Sequence, residues 1–176
     1  LERNSIAKNI YFRNIGPTVM SGRVVDLAVN PNDPTHFYVA YASGGLWETK
    51  NHGNTFTPIF DNKIVMTLGD IAVDWKNEII YAGTGENNSS RSSYSGVGIF
   101  KSSDNGKSWN HIGLDDSHHI GRIIIHPENP DIIWVAALGH LYSENEERGI
   151  YKSTDAGKTW TKTLFVNNRT GAIDIV

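Results

Sequence analysis

The stretch KSSDNGKSW, residues 101–109, returns almost unchanged as KSTDAGKTW at 152–160, and a fainter form, TKNHGNTF, occupies 49–56. Aligning the last aromatic residue of each copy places Phe56, Trp109 and Trp160 at intervals of 53 and 51 residues. Upstream material repeats as well. AVNPNDPTHFYVA (28–40) matches IIHPENPDIIWVA (124–136), with Pro31 over Pro127 and Pro34 over Pro130. The middle copy, AVDWKNEIIYA (72–82), keeps both apolar runs and lacks both prolines.

The apolar runs are VVDLAV (24–29), FYVAYA (37–42), DIAV (70–73), EIIYAG (78–83), RIIIH (122–126) and DIIWVAA (131–137). All are short, rich in β-branched and aromatic residues, and bounded by Gly, Pro, Asn or Asp, as strands are. No stretch of ten or more residues carries a helical period. The chain reads as all-β. Repeats of roughly 40–50 residues holding four strands each are the signature of β-propeller blades.

Each unit then runs strand A, tight turn, strand B, loop, strand C, the repeated turn, strand D. The expected division is an N-terminal strand and lead-in over 1–23, then blades at 24–60, 61–114 and 115–165. Residues 166–176 start a fourth blade, with GAIDIV (171–176) as its first strand. Three blades and one strand do not close a ring, since propellers use about four to eight blades. The chain is therefore expected to be part of a longer protein, and to associate or expose apolar surface when expressed alone.

The bulk properties narrow the function classes. The chain has 176 residues, 39% of them hydrophobic and 20% charged, ordinary for a soluble globular protein. A formal net charge of −3 and the lack of a basic stripe argue against nucleic acid. No run is long and apolar enough for a helical membrane span. The opening LERNSIAKN lacks the apolar core of a signal peptide. Cysteine is absent, which excludes disulfides and thiolate metal sites.

The repeated turn reads Ser/Thr-x-Asp/Asn-x-Gly-x-Ser/Thr-Trp/Phe. Asp104 and Asp155, with Asn51 in the first copy, are placed to accept bonds from the backbone of their own turn. Gly53, Gly106 and Gly157 supply a positive φ. Thr49, Ser102 and Ser153 tie the turn to the preceding strand. Phe56, Trp109 and Trp160 open strand D and are expected to bury apolar surface between blades. A motif repeated in every unit favours scaffolding over a single catalytic centre.

This pattern resembles the Asp-box, or bacterial neuraminidase repeat, of sialidases, xyloglucan-active glycoside hydrolases and sortilin-type propellers. The stretches RNIGPTVMSGRVVDLAVNP, ASGGLWETKNHGNTF, GTGENN, HIGRIIIHPENPDIIWVAALGHLY and NEERGIYKSTDAGKTW are similar to the N-terminal blades of large secreted bacterial proteins described as sortilin-like or glycosyl-hydrolase-like. The resemblance implies a secreted, periplasmic or surface location and Asp-box residues that are structural. It does not carry the families' chemistry across. Where xyloglucan-active relatives have a catalytic Asp in Thr-Asp-x-Gly-Gly, YASGG (41–45) has Ala42, and FRNIGP (12–17) matches the sialidase Arg-Ile-Pro start only superficially at Arg13.

The A-to-D order puts the repeated turns and the A–B turns at one end of the units and the B–C loops and D–A connections at the other. The second end holds PTVMSGR (17–23), GTGENNSSRSSYSGVG (83–98), DDSHH (115–119) and LGHLYSENEERG (138–149). Loops on a rigid scaffold are the usual place for binding groups. The candidate ligand-binding residues are Arg23, Asp26, Asp70, Glu86, Arg91, Tyr94, Arg122 and His140. Asp26, Asp70, Arg122 and Asp174 share one register on strand A and form a charged column. Mutual pairing or a polar ligand would each explain it.

A glycosidase needs two carboxyl groups about 5–9.5 Å apart, and the candidates are Asp70, Glu86, Asp115, Asp116, Glu144 and Glu146. The plainer reading is that these are solvated loop charges. The same holds for His118 and His119 beside Asp115 and Asp116, because adjacent residues on a strand point to opposite sides; no metal and no cofactor are expected. GTGENN lacks the third glycine and the following helix of a phosphate cradle. The function read from the sequence is a non-catalytic binding scaffold for a protein or glycan, completed by the missing blades of its own propeller. The rival is a glycoside hydrolase whose catalytic carboxylates lie partly in blades outside this chain.

Overall fold

The structure is a computed structural model, and it describes residues 22–61, 63–89 and 93–176. Twelve strands are assigned among these residues: β1 (Val24–Val29), β2 (Phe37–Tyr41), β3 (Gly45–Thr49), β4 (Thr57–Pro58), β5 (Leu68–Asp74), β6 (Ile79–Thr84), β7 (Ile99–Ser102), β8 (Asn110–His111), β9 (Ile120–Ile125), β10 (Ile133–Ala137), β11 (Gly149–Ser153) and β12 (Thr161–Leu164). They form three four-stranded sheets in the orders β1-β2-β3-β4, β5-β6-β7-β8 and β9-β10-β11-β12. Every neighbouring pair is antiparallel. The chain is an all-β propeller segment of three successive blades.

The expected strand A of a fourth unit differs. No strand is assigned over 171–176, though Ala172 N donates to Ala137 O at 3.0 Å. A strand needs a ladder partner, and here the residues lean on the third sheet instead. Backbone meets backbone closely at this inner edge. A Cβ on Gly69 would lie 2.0 Å from Ile120 O, and one on Gly121 would lie 2.2 Å from Ile173 O.

Two of the three apolar clusters lie between sheets; the third, Val39, Tyr41 and Trp47 with Phe37 and Phe56, lies on the first sheet alone. Tyr38, Leu46, Phe60, Leu68, Ile71, Ile80, Phe100 and Trp109 fill the space between the first and second sheets. Tyr81, Ile99, Ile120, Ile123, Ile133, Val135 and Tyr151 do so between the second and third. Burying one face of each pleated sheet on the next is the layer packing that a blade needs for stability.

The three repeated turns share one hydrogen-bond scheme. Ser102 Oγ donates to Asp104 Oδ1 and accepts from Gly106 N, each at 2.8 Å. Asp104 in turn accepts from Ser108 N (2.8 Å) and Ser108 Oγ (2.6 Å). Ser153, Asp155, Gly157 and Thr159 repeat it at 2.6–2.9 Å. In the first copy Asn51 Oδ1 accepts from Thr55 N at 2.9 Å, while Thr49 Oγ1 accepts from Gly53 N at 3.0 Å. The glycines have φ of +79, +84 and +88°, where a side chain is disfavoured. The residue before each glycine donates to the A–B turn of its own sheet: His52 N to Thr35 O, Asn105 N to Glu78 O, Ala156 N to Asp131 O.

The aromatics then carry the turn across to the preceding sheet. Trp109 Nε1 donates to Ile59 O and Trp160 Nε1 to Ile112 O, both at 2.7 Å. Phe56 has no N–H to donate and packs instead edge-on to Phe37 of its own sheet, 6.2 Å between centroids. A sheet preceding the first is not among the described residues, so the expectation that Phe56 lies between blades falls outside them.

Two outcomes follow. Ser153 is 1% exposed. Ser153→Ala strands the Gly157 N–H and should cost about 1–3 kcal/mol in a denaturant titration. Bonds from the Ser108 and Thr159 side chains hold the Asp104 and Asp155 carboxyls down at about 2, below the ordinary 3.8. A depressed folded value means that their stabilising share is present above the ordinary value and lost as pH falls through about 2. Melting curves on Asp155→Ala should lose part of this acid limb.

Candidate functional site

At the end opposite the repeated turns, each B–C loop is bonded to a connection between sheets. Gly45 N donates to Met66 O (2.9 Å), Gly85 N to Thr67 O (3.0 Å), Gly96 N to His118 O (2.6 Å) and Leu138 N to His119 O (2.9 Å). Glycine is required where the backbones pass. A Cβ on Gly85, whose φ is +87°, would fall 1.7 Å from His118 O. GTGENN therefore serves close approach of chain to chain. This end thus combines loop length with a firm backbone framework.

The strand A column is a set of ties between sheets. Asp26 Oδ2 accepts from Ile71 N at 3.4 Å, and Asp70 Oδ2 accepts from Ile123 N at 2.6 Å. Arg122 Nε donates to Asp174 Oδ1 at 2.8 Å, and its Nη1 lies 3.4 Å from Asp70 Oδ1. Asp70 is 3% exposed. Burial, reinforced by the Asp26 charge, pushes its carboxyl up to about 7 despite Arg122. The long contact explains why the guanidinium does not win. These contacts pair Arg122 with Asp70 and Asp174 and leave its side chain partly exposed.

A raised carboxyl works against the folded state at high pH. Its stabilising share is complete below the ordinary 3.8 and lost as pH rises through about 7. At about 1.4 kcal/mol per pH unit, the share is a few kcal/mol. The Asp70 share should fall between about pH 4 and 7, while buried His119, held down to about 4 from its ordinary 6.5, contributes the opposite slope over about pH 4 to 6.5. Asp70→Asn should therefore make stability rise more steeply with pH than in the parent. An unchanged slope in the variant would contradict the assignment.

The second group lies in the loops. Arg23 reaches the Glu86 carboxylate, which is 3% exposed. Glu86 N donates to Tyr94 O at 3.1 Å, and Glu86 O accepts from His119 Nδ1 at 2.7 Å. Glu86 is thus a buried member of the framework and not a surface ligand group. His119 is buried too, and desolvation pulls its imidazole down to about 4. The reading of DDSHH as a solvated loop holds for Asp115 and Asp116, which are exposed, and is corrected at His119, which turns inward beneath the 3-10 turn Asp115–Ser117.

In LGHLYSENEERG the acidic Glu144 and Glu146 are exposed, as expected of a solvated loop, whereas Asn145 and Arg148 are buried. Arg148 donates to Leu138 O (2.8 Å) and Ser143 O (2.6 Å) and also reaches His140 O, gathering the loop's carbonyls around one guanidinium. Asn145 Nδ2 donates to Asp116 O at 2.7 Å, while its Oδ1 accepts from His140 N at 3.0 Å. His140 Nε2 meets Asp116 Oδ1 at 2.8 Å. These residues line or support a cleft of about 270 Å³ bounded by Ser93, Ser95, His118, His119, His140, Leu141, Tyr142 and Ser143.

The structure therefore divides the eight candidate residues. Asp26, Asp70 and Arg122 stand in the strand A column; Arg23, Glu86, Tyr94 and His140 belong to the loop group; Arg91 lies outside the described residues. Sequence reasoning missed Asp116, Asn145 and Arg148 as a unit, because they come together across 29 and more residues of intervening chain. The one local signal was Gly139 and Gly149 bracketing the loop, with φ of +76 and +101°.

No family model matches this sequence, and no curated protein does. Solved structures do. An ancestral GH74 enzyme superposes with a TM-score of 0.61 at 23% identity, over 78% of this chain and 18% of that one. YCF48 bound to a D1 peptide gives 0.57 at 16% identity, over 84% of this chain and 41% of that one. PorZ, a bacterial surface component of the type-IX secretion system of Porphyromonas gingivalis, gives 0.55 at 26% identity, over 85% and 21%. All three are β-propeller proteins. This chain spans less than half the length of each, and the likeness carries the fold.

Proposed function

We propose that this chain is part of a larger Asp-box β-propeller protein of sortilin-like type, secreted, periplasmic or on a bacterial cell surface, that works as a non-catalytic binding scaffold. The units run 24–60, 61–114 and 115–165, with a fourth beginning at 166. One observation carries the reading. The two ends of the sheets are built differently: repeated, self-bonded turns at one, and long, non-repeating loops around an open cleft at the other. YCF48 bound to a peptide supports a protein partner on a related fold; a glycan is the other ligand class. No helix among the described residues is long and apolar enough to cross a membrane.

The carboxylates of the loop end support a binding rather than a hydrolytic role. Asp70, Glu86, Asp116 and Glu144 each engage a cationic or imidazole partner: Arg122, Arg23, His140 and Arg169. The test uses the full-length protein, with Arg122→Ala, Tyr94→Ala and Asp155→Ala titrated against its partner or a glycan array. One of the first two should weaken binding about tenfold or more, ~1.4 kcal/mol. Loss confined to Asp155→Ala would place the ligand at the wrong end for this reading.

A second reading draws on Asp70. A carboxyl raised to about 7 keeps a proton near neutral pH, as the acid of a glycoside hydrolase must. Its partner carboxylate would come from blades outside this chain. Release of reducing ends by the full-length protein, abolished in Asp70→Asn, would favour this rival.

A further inference from the structure

We propose that Asp116, His118 and His140 form a binding site for a zinc-class divalent cation, joining the connection at 112–119 to the loop at 138–148. The three side chains offer one carboxylate oxygen and two imidazole nitrogens, all within 4.8 Å of one another. His140 Nε2 stands 2.8 Å and His118 Nε2 3.8 Å from Asp116 Oδ1. Donors bound about 2.0–2.2 Å from one tetrahedral ion lie roughly 3.3–3.6 Å apart. The observed separations bracket that spacing. Two imidazoles and a carboxylate suit zinc and its transition-metal neighbours, whereas calcium and magnesium take oxygen donors.

The surroundings prepare the site. Ser143 Oγ lies 2.7 Å from His140 Nδ1, the second nitrogen that a metal-binding imidazole commonly uses to fix its orientation. Asn145 bonds Asp116 and His140 at once, and Arg148 clamps the loop behind them. His118 has φ +54° and ψ −39°, a sparsely populated conformation for a residue with a side chain. Strain of that kind persists only where surrounding structure imposes it, and it gathers at functional sites. Here the imposition is visible: Gly96 N bonds His118 O, and Gly85 leaves room for that carbonyl.

One movement is needed. The His118 and His140 rings are stacked, 3.6 Å between centroids and 22° between planes, so two in-plane lone pairs do not yet converge. Turning the partly exposed His118 ring about its side-chain torsions brings its nitrogen round, leaving the backbone in place. Three protein donors leave a fourth position open, and His118 and His140 both line the cleft. An oxygen ligand, water or a partner's carboxylate, would complete the shell.

Titration calorimetry with zinc chloride on the full-length protein tests the site, with His140→Ala, His118→Asn and Asp116→Asn as variants. His52→Asn, at the far end of the sheets, controls for stray surface histidines. The expected result is one zinc per chain, weakened at least about tenfold in each of the three variants and unchanged in the control. Calcium should not compete. X-ray absorption of the zinc-loaded wild type, which needs no variant to fold, should show two imidazole donors. Zinc uptake no greater than His52→Asn can account for, or uptake indifferent to both His140→Ala and His118→Asn, overturns the proposal. That failure leaves the scaffold reading intact, since the latter rests on loop placement alone.

Discussion

Replacing Trp109 by Ala should destabilise the protein by about 3–5 kcal/mol, the range for emptying a buried aromatic position. Trp109 touches three parts of the fold at once. Its ring meets Phe60 edge-on at 4.9 Å between centroids, inside the core shared by the first two sheets. Its Nε1 donates to Ile59 O of the preceding sheet and lies 3.1 Å from Gly106 O of its own turn. Trp109→Phe isolates the polar share. It keeps most of the packing, removes the donor shared by the Ile59 and Gly106 carbonyls, and should cost about 1–3 kcal/mol. Chemical denaturation of the two variants checks both figures. Equal losses would mean that the hydrogen bond, not the packing, joins the sheets.

Gly85→Ala should be more damaging than its single methyl suggests. Glycine-to-alanine changes in permissive positions stabilise by about 0.4–1 kcal/mol through the unfolded chain. Two opposing effects outweigh that gain here. The φ of +87° strains any Cβ-bearing residue, and the new Cβ would lie 1.7 Å from His118 O and 2.8 Å from His118 C. Backbone cannot yield as a flexible side chain does. A loss beyond about 3 kcal/mol is expected, in the tail of single-substitution effects. Because the displaced carbonyl belongs to His118, zinc uptake should fall too. A variant as stable as the parent would show that Gly85 and the 112–119 connection are not in contact as described.

The fold was legible because its signals are local and repeated. Short β-branched runs mark the strands, and Asp104, Gly106 and Trp109 recur as Asp155, Gly157 and Trp160 one unit later. A residue's turn chemistry is set within four positions of itself, as the Ser153 to Gly157 bond shows. The strand A column was legible for the same reason, as a register read off each unit. The loop group was not. His119, Asn145 and Arg148 are polar, and polarity in a loop reads as solvation; their burial depends on contacts such as Asn145 to Asp116, which no periodicity announces. Glu86 misled in the same direction, since the guanidinium that permits its burial belongs to Arg23, 63 residues earlier.

The central claim is that one end of these sheets is scaffold and the other is the binding face. Hydrogen exchange by mass spectrometry on the full-length protein, with and without its partner, tests this most directly. Amides in free loops exchange fast and slow when a ligand covers them. Ligand-dependent protection is expected over 83–98, 112–119 and 138–148, with 50–56, 103–109 and 154–160 unchanged. Protection of the three repeated turns, with the loops still exchanging freely, would contradict the account.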